Sequence, residues 1–287
     1  MEWLERLNRS LQYIEDHLDG AVDCKKAAQS ACCSSYQYQR LFSALANLPL
    51  SEYIRKRRLT LAAFDLQRGA KVLNTALKYG YESPEAFCRA FAGMHGVPPS
   101  LARKHGCTIK AQPRLSFQIV IKGVEEMDYK IVEKPAFQVY GIERIFDTKD
   151  GENLLEIPKF WTELKNNGDD DRLKKSAGFP TGLLGLCGYR ETGGTTFPYL
   201  ICCVKTPLGN SEGYTVVDIP ASTWAVFSTL PHPAEKTSHT IQDLSCRIYT
   251  EWLPSSNCQL SGGFDFELYY QDAMGCYYEE IWIRVKG

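Results

Sequence analysis

Two arginines stand at matching places in two similar stretches of the 287-residue sequence, Arg40 ending SYQYQR and Arg89 ending PEAFCR. A guanidinium is a planar fork of donors that pairs bidentately with guanine or grips phosphate, and Tyr36, Gln37, Gln39 and Ser43 around Arg40 carry groups of the same use. Around Arg89 the corresponding outward residues are Pro84, Glu85 and Cys88. A carboxylate there repels phosphate and favours only a cytosine amino group, so the second surface is expected to read bases more weakly. A different chemistry stands near the end of the chain. In YYEEIWIRV, period-two alternation sets Tyr278, Glu280 and Trp282 on one face of a strand and Ile281, Ile283 and Val285 on the other. In FDFELYYQD, Glu267 and Tyr269 face away from Phe264, Phe266, Leu268 and Tyr270. A carboxylate among aromatic walls suits an organic cation, which gains a cation-π attraction and an ion pair as it leaves water. The same alternation also fits a partly exposed strand with amphipathic aromatics.

The arginines need helices to carry them. Leu4, Leu7, Leu11, Ile14 and Leu18 recur at three- and four-residue steps, one apolar stripe on a helix that Gly20 ends. A short helix fits 25–31. After a turn at Cys32 and Cys33, Ser34 or Ser35 caps a helix to Leu45 with Tyr38, Leu41, Phe42 and Leu45 inward. The pattern recurs: a long helix from Ser51 leads to Gly69, a short one fits 72–79, and after a turn at Gly80 a helix runs from Ser83 to Met94 with Ala86, Phe87, Ala90 and Phe91 inward. Two helix-turn-helix units result, and their second helices are expected to enter successive major-groove faces about 34 Å apart. The run Arg55-Lys56-Arg57-Arg58 on the long helix reads as a solvated face with salt bridges to the core helices rather than as a base reader.

Charge divides the chain in the same way. Residues 1–110 hold 16 Lys and Arg against 10 Asp and Glu, a net of +6, and the remainder holds 17 against 24, a net of −7. A basic stretch beside an acidic one suits a nucleic-acid reader joined to a separate sensor. No apolar run reaches the roughly 18–20 residues of a membrane span, and the first segment alternates charge with Leu, so neither a span nor a signal peptide is expected. The expected compartment is the cytoplasm. The eleven cysteines include the adjacent pairs Cys32/Cys33 and Cys202/Cys203 but no CxxC and no zinc-ligand spacing. They read as reduced and mostly buried, with a redox-sensing pair as the sharper alternative.

Residues 107–126 carry no helical stripe, contain Pro113 and an alternating stretch from Leu115, and read as a linker with at most one strand. From Met127 the texture changes to alternating strands at 129–133, 137–146, 182–189, 199–204, 214–219, 223–229, 264–271 and 277–285, with helices at 153–167 and 237–253. The order repeats once, which implies two pseudo-repeated strand-helix-strand halves forming one antiparallel sheet with helices on one face. The other face is then expected to meet another domain or to line a groove.

The runs QRLFSAL, EYIRKRRLTLAAFDL, ALKYGYESPEAFCRAF and GVPPSLARK make residues 4–106 resemble the DNA-binding domain of AraC/XylS-family regulators. By motif position the resemblance implies DNA contacts at Tyr36, Gln39 and Arg40 in the first reader and at Pro84, Glu85, Cys88 and Arg89 in the second. Two departures stand out. Cys33 occupies a turn position where that family usually has Gly, and Ala46-Asn47 replaces its usual Thr-Gly. Asn tolerates a left-handed backbone, whereas Cys33 must accept strain or shift the turn. The runs IPKFWTEL, STWAVFSTL, IYTEWLPSSNCQL, FDFELYYQD and YYEEIWIRV resemble the gyrase-inhibitor-like effector domain, as in Rob-like regulators, a fold that senses hydrophobic drugs. This resemblance implies that Glu280 lies in the ligand pocket, with Trp282, Tyr269 and Trp224 as further aromatic candidates. Arg284 replaces that family's strand Pro, and by reaching Glu280 it would neutralise the anion and weaken selection for cations.

The expected protein is thus multidomain, α and α+β: an all-α double helix-turn-helix domain at 1–106, a linker at 107–126 and an α+β antiparallel-sheet effector domain at 127–287. Double-stranded DNA, a small hydrophobic effector with a cation as the favoured class, and RNA polymerase are the expected partners. A monomer is the expected state, because two readers in one chain span a full site. No metal, cofactor or catalysis is expected. Two alternatives stand beside this reading. One is a hydrolase using Glu280 as general base, for which the chain shows no nucleophile-base-orienter set. The other is a ligand-independent activator whose second domain only contacts polymerase or another partner.

Overall fold

The computed structural model describes residues 2–104, 106–118, 126–179, 181–192 and 195–286. The chain opens with helices α1 (Glu2–Asp16), α2 (Cys24–Ser30), α3 (Ser35–Ala46), α4 (Leu50–Gln67), α5 (Val72–Lys78), α6 (Pro84–His95) and α7 (Pro99–Ala102). Each reader helix starts where its sequence satisfies the free amides of a first turn. Ser34 and Gln37 form a capping box on α3, and Ser83 caps α6 with Pro84 at its first position. At the other end of α3, Asn47 takes the left-handed conformation at φ 48°. The strain expected at Cys33 falls one residue earlier, where Cys32 adopts φ 57°, so the turn has shifted.

The Arg-rich run of α4 ties helices together. Arg55 and Lys56 pair with Glu52 on their own helix, and Arg57 pairs with Glu15 of α1 at 2.7 Å. Arg58 donates to the carbonyls of Leu18 and Gly20 and so closes the end of the first helical segment. The connecting segment is pinned to this frame rather than free. The Gln112 amide donates to Thr60 Oγ1 at 2.9 Å, Leu115 N to the Tyr53 hydroxyl at 3.1 Å, and Phe117 N to Asn8 Oδ1 at 3.0 Å. No strand forms over 115–118, and the rest of the stretch expected to alternate lies outside the described residues.

The second part runs β1 (Tyr129–Lys134), β2 (Phe137–Asp147), α8 (Glu152–Asn167), α9 (Asp169–Ser176), β3 (Leu184–Cys187), β4 (Thr196–Val204), β5 (Thr215–Ile219), β6 (Ser222–Ser228), α10 (Thr237–Arg247), β7 (Gln259–Gln271) and β8 (Tyr277–Lys286). A π-turn over Ile248–Trp252 extends α10. One antiparallel sheet has the order β1-β6-β8-β7-β3-β4-β2-β5. Exchanging β1–β4 for β5–β8 reverses this order without changing it, so the expected pseudo-repeat is present and the β7–β3 pair lies on its axis. The unexpected element is α9, whose sequence DDDRLKKS buries only Asp170 and Leu173 and offers no apolar stripe to read.

The helix-free face closes on itself. Phe137 of β2 stacks on Phe266 of β7 at 6.0 Å although two strands separate them, so the sheet curls with this face concave. Trp224, Val226, Leu186, Leu200, Phe264 and Phe266 fill it as a core. On the helical face the two parts of the chain share one interior. Leu7, Leu11, Ile14, Tyr38, Leu41, Phe42 and Tyr53 pack in a single cluster with Phe227, Ile241, Leu244, Ile248, Ile281 and Ile283. The second helix-turn-helix unit has a separate core of Leu59, Ala62, Ala63, Leu66, Ala76, Phe87 and Phe91. Burying an aliphatic or aromatic side chain contributes about 1.5–3 kcal/mol, so the shared cluster holds the first unit firmly against the sheet domain.

Candidate functional site

The two helices expected to read DNA differ in what they present. On α6, Glu85 and Arg89 are exposed and Pro84 and Cys88 half-buried, while Phe87 and Phe91 point into the core. That helix is open to a partner. On α3, the residues expected to face outward do not. Tyr36, Gln37 and Gln39 are buried and Arg40 is nearly so, with 17% of its side chain exposed. The reason is the sheet domain, which covers the face that a helix-turn-helix considered alone would leave to solvent.

Ser34, Gln37, Gln39 and Arg40 each have a partner across the boundary. Ser34 Oγ donates to the Gly263 carbonyl at 3.1 Å, Gln37 Nε2 to Asp265 Oδ1 at 3.3 Å, and Thr148 Oγ1 to Gln39 Oε1. The Tyr36 ring packs on Phe197 at 4.6 Å. It comes so close to the turn after β3 that a Cβ on Gly188 would lie 2.7 Å from it. Arg40 uses its whole fork: Nε donates to Ser245 Oγ at 2.9 Å, one terminal nitrogen to the Tyr36 hydroxyl at 2.9 Å and the other to Glu267 Oε1 at 3.3 Å. Asp265 lies 4.0 Å away as a second anion.

This guanidinium fills an acidic, aromatic cleft over the central β7–β3 pair. The remaining oxygen of Glu267 accepts from Tyr199 at 3.1 Å and from Tyr269 at 3.0 Å. Trp161 of α8 donates its indole N–H to the Tyr199 hydroxyl at 2.9 Å and meets Tyr269 edge-on at 5.0 Å. Asp265 also accepts from Tyr249 at 3.3 Å. On β3 only a glycine leaves room for this arrangement, since a Cβ at Gly185 would lie 2.2 Å from the Tyr199 hydroxyl. Burial pushes Asp265 up to about 6, with Arg40, Gln37 and Tyr249 pulling it the other way. Burial likewise pushes the phenols of Tyr199, Tyr249 and Tyr269 well up, so they remain donors. At Arg40 burial opposes the charge, and Tyr36 and Glu267 more than offset it.

The six residues expected to share one effector pocket divide between the two faces of the sheet. Glu267 and Tyr269 line the cleft. Glu280, Trp282, Tyr278 and Trp224 lie on the helix-free face, because the register pairs Leu268, not Glu267, with Glu280. There Glu280 is already engaged, accepting from Trp282 Nε1 at 2.8 Å and from Tyr270 at 3.4 Å and pairing with Lys130 at 3.1 Å. Trp224 is buried among Phe264, Phe266 and Trp282, and Tyr278 stacks on Tyr270 at 4.9 Å. Arg284 does not reach Glu280. Its side chain donates to Ser222 Oγ and the Gly262 carbonyl and lies over the Phe264 ring. Asp265, Tyr199, Tyr249, Trp161 and Ser245 were not singled out from sequence. Asp265 was within reach, since it shares the alternation of Glu267 and Tyr269 along β7. The eleven cysteines are all free. Among the described residues no group of three or more His, Cys, Asp or Glu side chains is arranged to hold a metal ion.

Comparison with known proteins bears on both parts. Residues 127–286 match the GyrI-like small molecule binding domain, and residues 27–105 match a helix-turn-helix domain. The HTH-type transcriptional activator AarP of Providencia stuartii is 35% identical over 98 residues, which cover 34% of this chain and 73% of AarP. The transposon Tn10 TetD protein of Escherichia coli is 38% identical over 96 residues, covering 33% of this chain and 70% of TetD. Among solved structures, that of SAV2435 bound to tetraphenylphosphonium is similar over 56% of this chain and 95% of SAV2435, at 21% identity and a TM-score of 0.46.

Proposed function

The chain belongs to the GyrI-like small-molecule-binding family and to the AraC-type helix-turn-helix transcription regulators, and from that premise we propose that it reads double-stranded DNA through α3 and α6 and binds its effector in the cleft over Glu267. The observation that carries the DNA reading is α6, a capped helix whose Arg89 and Glu85 stand exposed on a surface that its own core does not use. Pro84 and Cys88 complete that surface, and Tyr36, Gln39 and Arg40 are the corresponding contacts on α3 once its face is free. The effector site is assigned to Glu267 and Tyr269 with Asp265, Tyr199 and Trp161, because there, among the described residues, acids and aromatic rings converge between the helices of the two halves. Glu280, Trp282, Tyr278 and Trp224 lie on the opposite, helix-free face, Trp224 buried there and Tyr278 and Trp282 half-buried.

The division into a reader at 1–106, a linker at 107–126 and an effector domain at 127–287 is part of this reading. So are a cytoplasmic location, a monomer that occupies both half-sites, RNA polymerase as protein partner and the absence of catalysis. Among the described residues no helix is long and apolar enough to cross a membrane. The test is selection of duplexes from a random library on the full chain, followed by Arg89→Ala. A base-reading guanidinium contributes about 1–3 kcal/mol, so affinity for the selected duplex should fall about 5- to 150-fold with discrimination relaxed at one base pair. Unchanged affinity and sequence preference remove Arg89 from the readers.

A further inference from the structure

The cleft and the first reader helix satisfy each other, and these polar contacts lie beside the apolar cluster that joins the first unit to the sheet domain. Ser34, Tyr36, Gln37, Gln39 and Arg40 are each bonded or packed onto the sheet domain. Gly188 is shaped to the Tyr36 ring, with no room for a Cβ. The cleft sets two carboxylates, Asp265 fully buried and Glu267 8% exposed, against one guanidinium. Without Arg40 it would hold two buried anions with no directly paired cation among the described residues, a costly state that either draws in a cation or protonates.

We infer that the cleft is a cation site whose resident cation is Arg40 of the chain's own DNA reader, so that an organic monocation with an apolar tail enters only by displacing α3 and thereby uncovers Tyr36, Gln39 and Arg40 for DNA. The inference rests on the assignment of α3 as a DNA-reading helix. In the docked state α3 offers DNA nothing, since its polar face is occupied. The cleft cannot hold both occupants, so a ligand specific for the vacated cleft stabilises the released state by its binding free energy alone. Linkage makes the effect reciprocal: DNA held through α3 must raise affinity for the cation by the same factor. The ligand must replace the guanidinium's charge and donors at Glu267 and set apolar surface against Tyr199, Tyr269 and Trp161. A guanidinium or amidinium on an aryl or alkyl body meets both needs.

The experiment uses the full chain with 4-phenylbutylguanidinium as probe and the isosteric, uncharged 4-phenylbutylurea as control. Binding is read by calorimetry, release of α3 by amide hydrogen exchange over 35–46, and DNA affinity by titration of a duplex enriched on the full chain. Saturating guanidinium should speed exchange in α3 and tighten DNA binding, each by about tenfold or more, and the urea should do neither. Gly188→Ala alters neither acid and replaces no reader residue, but its Cβ presses on the Tyr36 ring. It should loosen α3 without ligand and raise probe affinity. Glu267→Gln should also loosen α3 but weaken the probe by about tenfold or more. The inference is overturned if the probe binds while exchange in α3 stays at its apo rate, if the urea binds as well as the guanidinium, or if neither the native chain nor Gly188→Ala binds the probe. Failure of the underlying assignment looks different: exchange and probe binding respond as stated, yet DNA affinity is indifferent to the probe and to both variants.

Discussion

Replacing Arg40 by Met keeps most of the side-chain volume and removes the one cation in the cleft, so its cost reports the electrostatics directly. At an effective dielectric of about 20, the contacts of 3.3 Å to Glu267 and 4.0 Å to Asp265 correspond to attractions of about 5 and about 4 kcal/mol. Desolvating the charges offsets most of this, so the intact trio contributes little net, but withdrawing one member strands the others and costs about 3–5 kcal/mol. The sign of the pH dependence follows from Asp265. Its carboxyl titrates in the folded chain at about 6 against an ordinary 3.8, so it carries a penalty that is absent below about pH 4 and complete above about pH 6. Facing it are Arg40, Tyr36 and Gln37 from α3, Glu267 beside it on β7, Cys187 from β3, Arg284 from β8, Tyr249 from the π-turn and Cys33 from the turn before α3. Loss of Arg40 removes the main group holding that carboxyl down, so in Arg40→Met it titrates higher still and is neutral at pH 5. Denaturant unfolding, followed by tryptophan fluorescence, should therefore show a loss of about 3–5 kcal/mol at pH 7.5 and roughly half of that at pH 5. In a double-mutant cycle with Glu267→Gln the two residues should couple by about 2–3 kcal/mol. Equal losses at the two pH values, or a coupling near zero, would mean that the cation is not what neutralises the cleft.

Two further predictions concern other parts of the sheet domain. His232 is bonded to Glu279 at 2.8 Å through Nε2 and to the Pro233 carbonyl at 3.0 Å through Nδ1. Both partners are acceptors, so the ring is a doubly protonated donor; burial opposes its charge, but Pro233 and Glu279 outweigh burial and raise its pKa above 6.5. Its stabilisation is then complete below about pH 6.5 and lost as pH rises through the folded value. Tm should fall by about 2–4 °C between pH 6 and pH 8.5 from this group, a change that His232→Ala abolishes while lowering Tm at pH 6. For Gly185→Ala, a strand glycine would ordinarily be improved by Ala, but the new Cβ meets the buried Tyr199 hydroxyl at 2.2 Å. Overpacking should lower stability by about 1–3 kcal/mol in a urea titration, and an unchanged or raised midpoint would show that Tyr199 is not fixed over Glu267.

What the sequence made legible follows the range of the interactions. Helix starts at Ser34 and Ser83, the stripe from Leu7 to Leu18 and the alternation of β7 and β8 are set by neighbours within a few residues, and the two halves of the sheet repeat one pattern. The face to which Glu280 belongs was legible from β8 alone. That Glu267 lies on the opposite face was not, because alternation fixes faces within a strand and only the register, Leu268 against Glu280, fixes them between strands. The helix α9 escaped because charge, not an apolar stripe, covers it. The docking of α3 escaped for a deeper reason: Tyr36, Gln37, Gln39 and Arg40 are a mixture that serves a phosphate backbone, a base edge or a carboxylate pocket equally well, and sequence pattern records the donors without the acceptor.

That equivalence also limits what can release the reader. A guanidinium recognises planar anions, and phosphate and carboxylate offer it nearly the same pair of acceptors. On the proposed reading, DNA and the cleft would compete for Arg40, while Arg40 and a ligand would compete for Glu267. A neutral hydrophobic molecule that expelled the arginine would gain contact with Tyr199, Tyr269 and Trp161 but leave Glu267 and Asp265 buried without a counter-charge. A cation exchanges one ion pair for another and keeps the apolar gain. Selection for charge thus comes less from attraction to the acids, which Arg40 already enjoys, than from the penalty imposed on any uncharged competitor. It should be sharpest at neutral pH, where Asp265 is ionised, and blunted toward pH 5, where a proton can take the place of the missing cation.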